Sequence, residues 1–451
     1  GKTTVMIEKI NHLIETNKHA PHEILALTFT NKAANEMKER FNAKRKSERQ
    51  PFFGTFHSFC VRMLKQSTAI DSIGLTKDFT IIDPSQQKEI IQTLMKSTQL
   101  SMERKPKDVL AKISSIKQHP KTMHSECLAD ADEDIQKLFA PYNQHLIKIN
   151  SVDFDDLLLH AHFILNTNED ELKKYQKRFQ YVIIDEYQDT NQIQNDLSLL
   201  LAKDHKNICV VGDFDQTIYS WRGAKVENLL QFNQDFPDTK TLKLEINYRS
   251  TREILGAANQ LINFNSNRLP KELISDRSSG NKIQQIVCFD EKEESNIIVN
   301  KIKDLQKSGE YNYKDFAILY RTNQQSRAIE EALTNQNVPH HIIGTTAFYQ
   351  RVEVKHAIAY LQCLHNINQP VWFERAILNP ARGVGKTSIQ AFLKYAIDSD
   401  QQITDAINHP DCPIQQRFKT IIASFIDTVL QVKDQEDTIQ NLHHLNNFHN
   451  D

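Results

Sequence analysis

The chain has 451 residues, which corresponds to about three domains of ordinary size and excludes a single small module. Hydrophobic residues make up 39% and charged residues 25%, with a mean hydropathy of −0.54, and these values exclude a disordered chain. The net charge of −2 provides no bulk attraction for nucleic acid, so a nucleic-acid function must rest on local features.

Hydropathy and cysteine spacing indicate the cellular location of the protein and the state of its thiols. No stretch approaches the roughly 20 apolar residues of a membrane span, and residues 1–20 lack the apolar core of a signal peptide. We therefore expect a cytoplasmic protein without a membrane partner. Reduced thiols are expected rather than a zinc site or a redox pair, because the six cysteines are widely separated: Cys60, Cys127, Cys209, Cys288, Cys363 and Cys412.

In chain order, the first predicted element is a helix that follows Gly1 directly, with Met6, Ile10 and Leu13 at helical spacing. Apolar runs typical of strands then occur at residues 24–29, 181–184, 208–211, 242–246 and 316–319, and helical patterns follow them. Residues 84–177 and 367–451 have only helical patterns. Strands that alternate with helices predict an α/β protein with parallel sheets and two helical insertions.

A phosphate site is indicated by two separate segments. Gly1-Lys2-Thr3 resembles the end of a phosphate-binding loop, in which a helix N-terminus and a lysine face phosphates and a threonine holds Mg²⁺. By itself this triplet also fits an ordinary helix start. Residues 182–186 (VIIDE) form an apolar strand that ends in Asp185 and Glu186, where one carboxylate can reach Mg²⁺ and the other an attacking water. Together the two segments favour nucleotide binding.

A second glycine-rich segment, residues 383–388 (GVGKTS), is a weaker candidate. The first glycine of the full pattern would stand at position 380, which is Pro, and no apolar strand precedes the segment. We interpret it as a basic turn between helices.

The order of several motifs resembles the superfamily 1A DNA helicases, the UvrD/PcrA/Rep family. The motifs are GKTT (1–4), LALTFTNKAANEM (25–37), GTFHSF (54–59), DFDDLL (153–158), VIIDEYQDTN (182–191), VVGDFDQTIYSWRGA (210–224), NYRST (247–251), ILYRTNQQSRAIEEAL (318–333), FYQRVEVKHAIAYL (348–361) and FERAILNPARGVG (373–385). The resemblance covers essentially the whole chain.

The resemblance implies two RecA-like P-loop NTPase lobes with parallel sheets, each with an inserted, mainly helical subdomain. We place lobe 1A at residues 1–83 and 178–243, its insertion 1B at 84–177, the first part of lobe 2A at 244–366, and part of insertion 2B at 367–451. The second lobe and its insertion are expected to be incomplete. Both ends look like cuts within a longer protein, because no initiator methionine precedes Gly1 and residues 441–451 contain no Gly or Pro.

For the first lobe, the resemblance implies specific roles in an ATP·Mg²⁺ site. Lys2 contacts the terminal phosphates, and Thr3 with Asp185 holds Mg²⁺. Glu186 positions or activates the attacking water, and Gln216 senses the γ-phosphate.

The resemblance also implies that the second lobe faces this site. Tyr248 is expected to stack on the base, and Arg249 is expected to act as an arginine finger, although in isolation Arg249 also fits a surface salt bridge. The implied nucleotide-contacting set is Gly1, Lys2, Thr3, Thr4, Tyr248 and Arg249. Thr4 occupies a position where the family usually carries Arg, so one contact is expected to be missing or supplied elsewhere.

The implied substrate is single-stranded DNA and its junctions with duplex. Motors that ignore sequence use aromatic side chains for bases and small polar groups for phosphates. The aromatic candidates are Phe29, Tyr219 and Trp221, although Phe29 ends an apolar strand and also fits a core position. The candidates for backbone contacts or coupling are Thr28, Asn31, Thr55, His57 and Arg222. The acids of the DFDDLL motif suit a helix N-cap and first turn better than a metal site.

These patterns predict an ATP-dependent 3′ to 5′ DNA helicase or translocase of DNA repair or replication, with ATP and Mg²⁺ as cofactors and repair or replication proteins as partners. Two alternatives remain: the motor part of a helicase–nuclease, and a non-catalytic single-strand-binding remnant. The first half of the phosphate loop, the adenine-reading glutamine segment and the later family motifs are absent from residues 1–451. We therefore expect these residues alone to be inactive.

Overall fold

The computed structural model describes residues 1–16, 18–45, 49–98, 104–120, 128, 131–265, 271–343 and 352–433. Its strands are β1 (Ile24–Thr28), β2 (Phe52–Thr55), β3 (Thr80–Ile81), β4 (Ser151–Val152), β5 (Tyr181–Ile184), β6 (Ile208–Val210), β7 (Ile246–Asn247) and β8 (Ile274–Ser275). Its helices up to the end of the first sheet region are α1 (Lys2–Glu15), α2 (Asn31–Lys44), α3 (Phe56–Gln66), α4 (Pro84–Ser97), α5 (Pro106–Lys117), α6 (Glu133–Lys148), α7 (Phe154–Thr167), α8 (Glu169–Arg178), α9 (Gln192–Ala202), α10 (Glu227–Leu230) and α11 (Phe232–Asp235). The later helices are α12 (Arg252–Ile262), α13 (Glu291–Lys307), α14 (Ser326–Asn335), α15 (Val352–His365), α16 (Pro370–Leu378), α17 (Lys386–Asp398), α18 (Ile403–Ala406) and α19 (Gln416–Lys433).

The main sheet contains four parallel strands in the order β2-β1-β5-β6. Every residue of β1 is buried, with Leu25 and Leu27 in the core on one face and Ile24 and Ala26 in the core on the other. Such near-continuous apolar strands are expected in a parallel sheet that helices cover on both faces. Because the strands share one direction, their carboxyl ends lie at one edge, where ligands bind in this kind of fold.

The first helical insertion has a core of its own. Apolar side chains between residues 82 and 149 form one cluster, from α4, α5 and α6. In contrast, α7 and α8 contribute Leu157, Ile164 and Tyr175 to the core of the main sheet. The last two helices of the predicted insertion, α7 and α8, thus pack with the main sheet. The sequence did not predict the short strand β4 within the insertion region. This strand pairs in parallel with β3.

The predicted strands of the second lobe are largely wrong. Of residues 242–246, only Ile246 is in a strand, β7, which pairs with β8, and residues 316–319 form no strand. A strand requires a partner for its backbone groups. No partner for residues 242–245 or 316–319 occurs among the described residues, and Leu242 and Leu319 are 87% and 93% exposed.

Helices form the remainder of the described chain. α13 and α14 pack around Val299 and Leu333, and α15 to α19 enclose a separate core that includes Phe373, Phe392 and Ile422. The predicted helical character of residues 367–433 is confirmed, whereas residues 344–351 and 434–451 lie outside the described residues. No helix in the part of the chain described above has both the length and the apolar character needed to cross a membrane.

Candidate nucleotide and DNA site

The first helix presents a lysine to the acids that follow β5. α1 begins at Lys2, so the unpaired N–H groups of its first turn and the positive end of its dipole lie beside this side chain. Lys2 Nζ donates to the carboxylate of Glu186 in an ion pair, although the two residues are 184 positions apart. A lysine at a helix N-terminus is a suitable site for an anion such as phosphate.

Asp185 is buried at the carboxyl end of β5. Its backbone N–H donates to Leu27 O at 2.8 Å, and its side chain accepts a hydrogen bond from the Glu186 N–H at 3.0 Å. Burial and the negative charge of Glu186 together raise the pKa of Asp185 to about 6, although the nearby Lys2 charge acts in the opposite direction. The positive charge of Lys2 therefore does not fully offset burial and the repulsion between the Asp185 and Glu186 carboxylates.

Glu186 has an unusual backbone conformation. Its φ and ψ of 50° and 46° lie in the left-handed region, which costs a residue other than Gly about 1–2 kcal/mol. The carboxylate it presents accepts hydrogen bonds from both Lys2 and Gln188, the latter at 2.8 Å. The strained turn thus directs an acid into the same region as the lysine.

The donors present suit Mg²⁺. This cation prefers oxygen ligands and is usually held by one or two protein groups together with phosphates and water. Asp185 is an acid with an elevated pKa, and a divalent cation would relieve its repulsion with Glu186. No group of three or more His, Cys, Asp or Glu side chains that could hold a metal alone occurs among the described residues. The site therefore fits a metal that arrives with a nucleotide.

A hydrogen-bonded network connects these acids to the next strand end and to the second lobe. The Asp213 N–H donates to Gln188 Oε1 at 2.8 Å, and the Asp213 carboxylate accepts from Gln216 Nε2 at 2.7 Å. Lys271 forms an ion pair with Asp213 and lies 3.4 Å from Asp215. One continuous path of polar contacts thus runs from Lys2 to Gln216.

The other predicted nucleotide contacts lie at the surface. Thr4 is exposed in the first turn of α1. Tyr248 is 60% exposed and Arg249 is exposed, directly after β7. The Arg249 N–H donates to Asn247 Oδ1 at 2.9 Å. Within the described residues, no hydrogen bond or ion pair joins the Arg249 side chain to Glu186.

The predicted aromatic residues form one continuous surface. Phe29 stacks on Tyr219 with ring centroids 4.7 Å apart, and Tyr219 lies 6.5 Å from Trp221. The Arg222 guanidinium lies over both the Tyr219 and Trp221 rings, at 5.4 and 4.6 Å. Trp221 is 71% exposed, whereas the other tryptophan, Trp372, is 9% exposed. The expectation that Trp221 is not a core residue is therefore confirmed.

The predicted polar contacts follow the neighbouring strands β1 and β2. Thr28 is buried at the end of β1, with no hydrogen-bond partner for its hydroxyl in the described chain, and Asn31 is exposed at the start of α2. Thr55 caps α3 by accepting a hydrogen bond from the Ser58 N–H at 3.2 Å. The His57 ring packs edge-on against Phe154 at 6.0 Å, and burial lowers its pKa. These four residues lie at or just after the carboxyl ends of β1 and β2, at the same sheet edge as the candidate phosphate site.

The GVGKTS segment is a turn only in its first half. Gly383 and Gly385 lie between α16 and α17 as predicted, whereas Lys386, Thr387 and Ser388 form the first turn of α17, and Lys386 pairs with Glu89 at 3.2 Å. The interpretation of the DFDDLL acids is confirmed. Asp153 is the N-cap of α7, with Asp155 and Asp156 in its first turn.

The cysteines within the described residues are free thiols: Cys60, Cys209, Cys288, Cys363 and Cys412. Cys127 lies outside the described residues.

Two residues of the network were not predicted. Gln188 lies within the VIIDEYQDTN motif and is 1% exposed, so its place two residues after an acidic pair at a strand end was an available signal. Lys271 had no such signal, because it lies in a polar segment of the second lobe with no recognisable pattern.

A parallel sheet with a lysine at a helix N-terminus and paired acids at the end of a central strand defines the class of P-loop NTPases. Within this class, the chain belongs to the UvrD/REP helicase family. The family profile for the UvrD/REP helicase N-terminal domain matches residues 1–237, and that for the UvrD-like helicase C-terminal domain matches residues 242–450. The resemblance predicted from the motifs, and the α/β fold with parallel sheets, are confirmed.

Curated relatives agree with this assignment. The chain is 39% identical over 443 residues to the ATP-dependent DNA helicase PcrA of Staphylococcus epidermidis strain RP62A, covering 97% of this chain and 60% of that protein. It is also 39% identical over 416 residues to PcrA of Staphylococcus aureus strain Mu50, covering 91% of this chain and 57% of the relative. The chain thus spans about 60% of the length of the curated relatives that it matches.

Proposed function

We propose that this chain is the core of an ATP-dependent DNA helicase that moves along single-stranded DNA from 3′ to 5′ and acts in DNA repair or replication. The observation that carries the proposal is the position of Gln216 and Tyr219. They lie three residues apart on one loop, and Gln216 is connected to the Lys2–Glu186 ion pair while Tyr219 belongs to the exposed aromatic surface. A change at the nucleotide can therefore be transmitted to DNA over a short distance.

In the proposed reaction, the chain mainly binds and orients. Lys2 and the α1 N-terminus bind the terminal phosphates, and Glu186 accepts the proton of the attacking water or orients that water. Thr3 and Asp185 would hold Mg²⁺, which neutralises phosphate charge when bound. Gln216 contacts the γ-phosphate, with Tyr248 on the base and Arg249 completing the site from the second lobe.

On the DNA side, Trp221, Tyr219 and Phe29 stack on bases, with Arg222 beside them. Base stacking on an aromatic side chain contributes about 1–3 kcal/mol and tolerates any sequence. Thr28, Asn31, Thr55 and His57 contact the DNA backbone or couple it to the nucleotide site. Asn31 is exposed, so it can reach a phosphate directly, whereas the burial of Thr28 suits a coupling role better.

The geometry favours a catalytic motor over a non-catalytic single-strand-binding remnant. A remnant has no need for a strained acid such as Glu186 or for a buried carboxylate such as Asp185 beside it. We further propose that residues 1–451 alone hydrolyse ATP poorly, because Leu242, Phe289 and Leu319 of the second lobe are 87% to 95% exposed. A lobe with its apolar side chains in water cannot hold Arg249 firmly.

Streptavidin displacement tests the direction of movement. Full-length protein is mixed with a single-stranded oligonucleotide that carries biotin–streptavidin at one end. With ATP and Mg²⁺, we expect faster release of streptavidin from the 5′ end than from the 3′ end, and no acceleration with a non-hydrolysable analogue. Faster release from the 3′ end would contradict the proposed direction, and release without hydrolysis would contradict an ATP-driven motor.

A further inference from the structure

The acids of the DFDDLL motif form a buried network with the end of helix α5. Lys117 is fully buried, and its amine lies 2.7 Å from Asp153 and 2.6 Å from Asp156. The ammonium also lies 4.8 Å from the centre of the Tyr142 ring, and the Tyr142 hydroxyl donates to Asp153 at 3.0 Å. Buried ion pairs contribute little net stability, but losing one partner is costly, so such a network fixes one arrangement of its elements.

The next residue, Gln118, is held against the same turn. Its Nε2 donates to Ser114 Oγ at 3.2 Å and to Asp155 Oδ1 at 3.0 Å, while Ser114 Oγ donates to the other Asp155 oxygen at 2.6 Å. Both amide hydrogens of Gln118 are therefore used. This leaves its Oε1 in a fixed direction.

That oxygen faces the backbone of Gly223. A Cβ atom at this position would lie 2.1 Å from Gln118 Oε1, which is closer than any contact allows. Gly223 also has a φ of 83°, a conformation that a residue with a side chain adopts only at a cost. The φ of Gly223 therefore favours glycine, and a side chain at this position would displace the Gln118 amide from its present place.

Gly223 ends the short 3-10 turn Ser220–Arg222 that carries Trp221. The Gly223 N–H donates to Ser220 O at 2.9 Å, and the Ala224 N–H donates to Tyr219 O at 3.3 Å. The position of Gly223 thus determines how the turn presents its aromatic side chains. No other part of the helical insertion approaches Gly223 as closely among the described residues.

We propose that Gln118 is a positioning residue that holds the Gly223 turn, and with it Trp221, in the orientation that binds single-stranded DNA. The Lys117 network anchors Gln118, so the helical insertion and the aromatic surface move together. This inference rests on the proposed DNA-binding role of Trp221. The insertion and the DFDDLL acids have no part in base stacking or ATP hydrolysis in the proposed function. This inference gives them a role in positioning Trp221.

The test compares full-length variants Gln118→Ala and Gln118→Glu with the control Gln92→Ala, an exposed glutamine on α4. Gln118→Glu keeps the size of the side chain but loses both donated hydrogen bonds and places a second carboxylate beside Asp155. The affinity for fluorescein-labelled oligo-dT is measured by anisotropy, and nucleotide affinity is measured with a fluorescent ATP analogue. Both Gln118 variants should bind DNA about threefold to tenfold more weakly with nucleotide affinity unchanged, and Gln118→Ala should do so while its unfolding temperature stays close to that of the wild type.

A double-mutant cycle with Trp221→Ala separates the possible failures. If Gln118 acts through Trp221, the effect of Gln118→Ala should largely disappear in the Trp221→Ala background. If Trp221→Ala weakens DNA binding but Gln118→Ala does not, or if the two effects simply multiply, the positioning role is overturned while the DNA surface stands. If Trp221→Ala itself leaves DNA binding unchanged, the proposed DNA surface fails and this inference fails with it.

Discussion

Asp185 is a residue whose expected function conflicts with stability. Its pKa of about 6, against an ordinary 3.8, means that the charged carboxylate is less stable in the folded protein than in the unfolded chain, a cost that grows between pH 3.8 and 6 and is complete above pH 6. At about 1.4 kcal/mol per pKa unit, Asp185→Asn should stabilise the fold by up to about 3 kcal/mol near pH 7.5, while it abolishes ATP hydrolysis. The gain should disappear below pH 3.8, where the acid is protonated in both the folded and the unfolded chain.

Thermal unfolding and ATPase assays check this prediction. Asp204→Asn, at an exposed position, serves as the control and should change neither property. A lower unfolding temperature for Asp185→Asn, with Asp204→Asn unchanged, would show that the carboxylate stabilises the fold.

His160 gives the opposite dependence on pH. Burial and the nearby Lys117 charge lower its pKa from 6.5 to about 4. Between these values the unfolded chain binds a proton that the folded chain does not, so stability is lost as the pH falls from 6.5 to 4. His160→Gln should remove up to about 3 kcal/mol of this acid destabilisation.

Unfolding temperatures from pH 7 to 4.5 measure the effect. The curve for His160→Gln should be flatter than that of the wild type, and the curve for the exposed His12→Gln should coincide with the wild type. Parallel curves for wild type and His160→Gln would place the acid sensitivity elsewhere.

At the scale of elements, the ion pair of Lys271 with Asp213 joins the second lobe to the loop that carries Gln216. Lys271→Ala should leave nucleotide affinity within about twofold but lower kcat about threefold to tenfold, because Gln216 loses its anchor. Lys271→Arg should retain most of the activity. Steady-state kinetics on full-length protein, with the exposed Lys282→Ala as control, provide the measurement. A fall in nucleotide affinity with unchanged kcat would contradict the proposed anchor.

The elements also show what could be predicted from the sequence. β1, β5 and β6 were predictable to within one residue, because a continuous apolar run in a sheet that helices cover carries its own signal, although β6 is only half-buried. The strands predicted in the second lobe failed because an apolar run becomes a strand only where a neighbour pairs with it. The DFDDLL acids were correctly interpreted as a helix start. Their ion pairs with Lys117, 36 and 39 positions earlier, could not be foreseen, because lysine in a polar helix is normally exposed.

For the proposed nucleotide site, individual residues could be predicted from the sequence, but the contacts that connect them could not. Lys2, Asp185 and Glu186 belong to recognisable patterns, and the structure brings them together. The links through Gln188 and Lys271 depend on folding over long distances in the chain, so no local pattern records them.

At the scale of the whole molecule, two sets of contacts, here called junctions, meet at the turn that carries Trp221. The first joins the Lys2–Glu186 site to the aromatic surface through the loop between Asp213 and Trp221. The second joins the helical insertion to that surface through Gln118 and Gly223. Because both junctions meet at one turn, nucleotide state, DNA contact and insertion position are expected to change together.

The most direct test of this account is the ATPase rate of full-length wild type and Glu186→Gln, with and without oligo-dT. The account predicts hydrolysis that single-stranded DNA stimulates in the wild type, and a loss of about 10²-fold or more in Glu186→Gln. Nucleotide and DNA affinities of the variant should remain within a few-fold of the wild type, because Lys2 and Trp221 are unchanged. Hydrolysis that DNA does not stimulate, or that Glu186→Gln retains, would contradict the account.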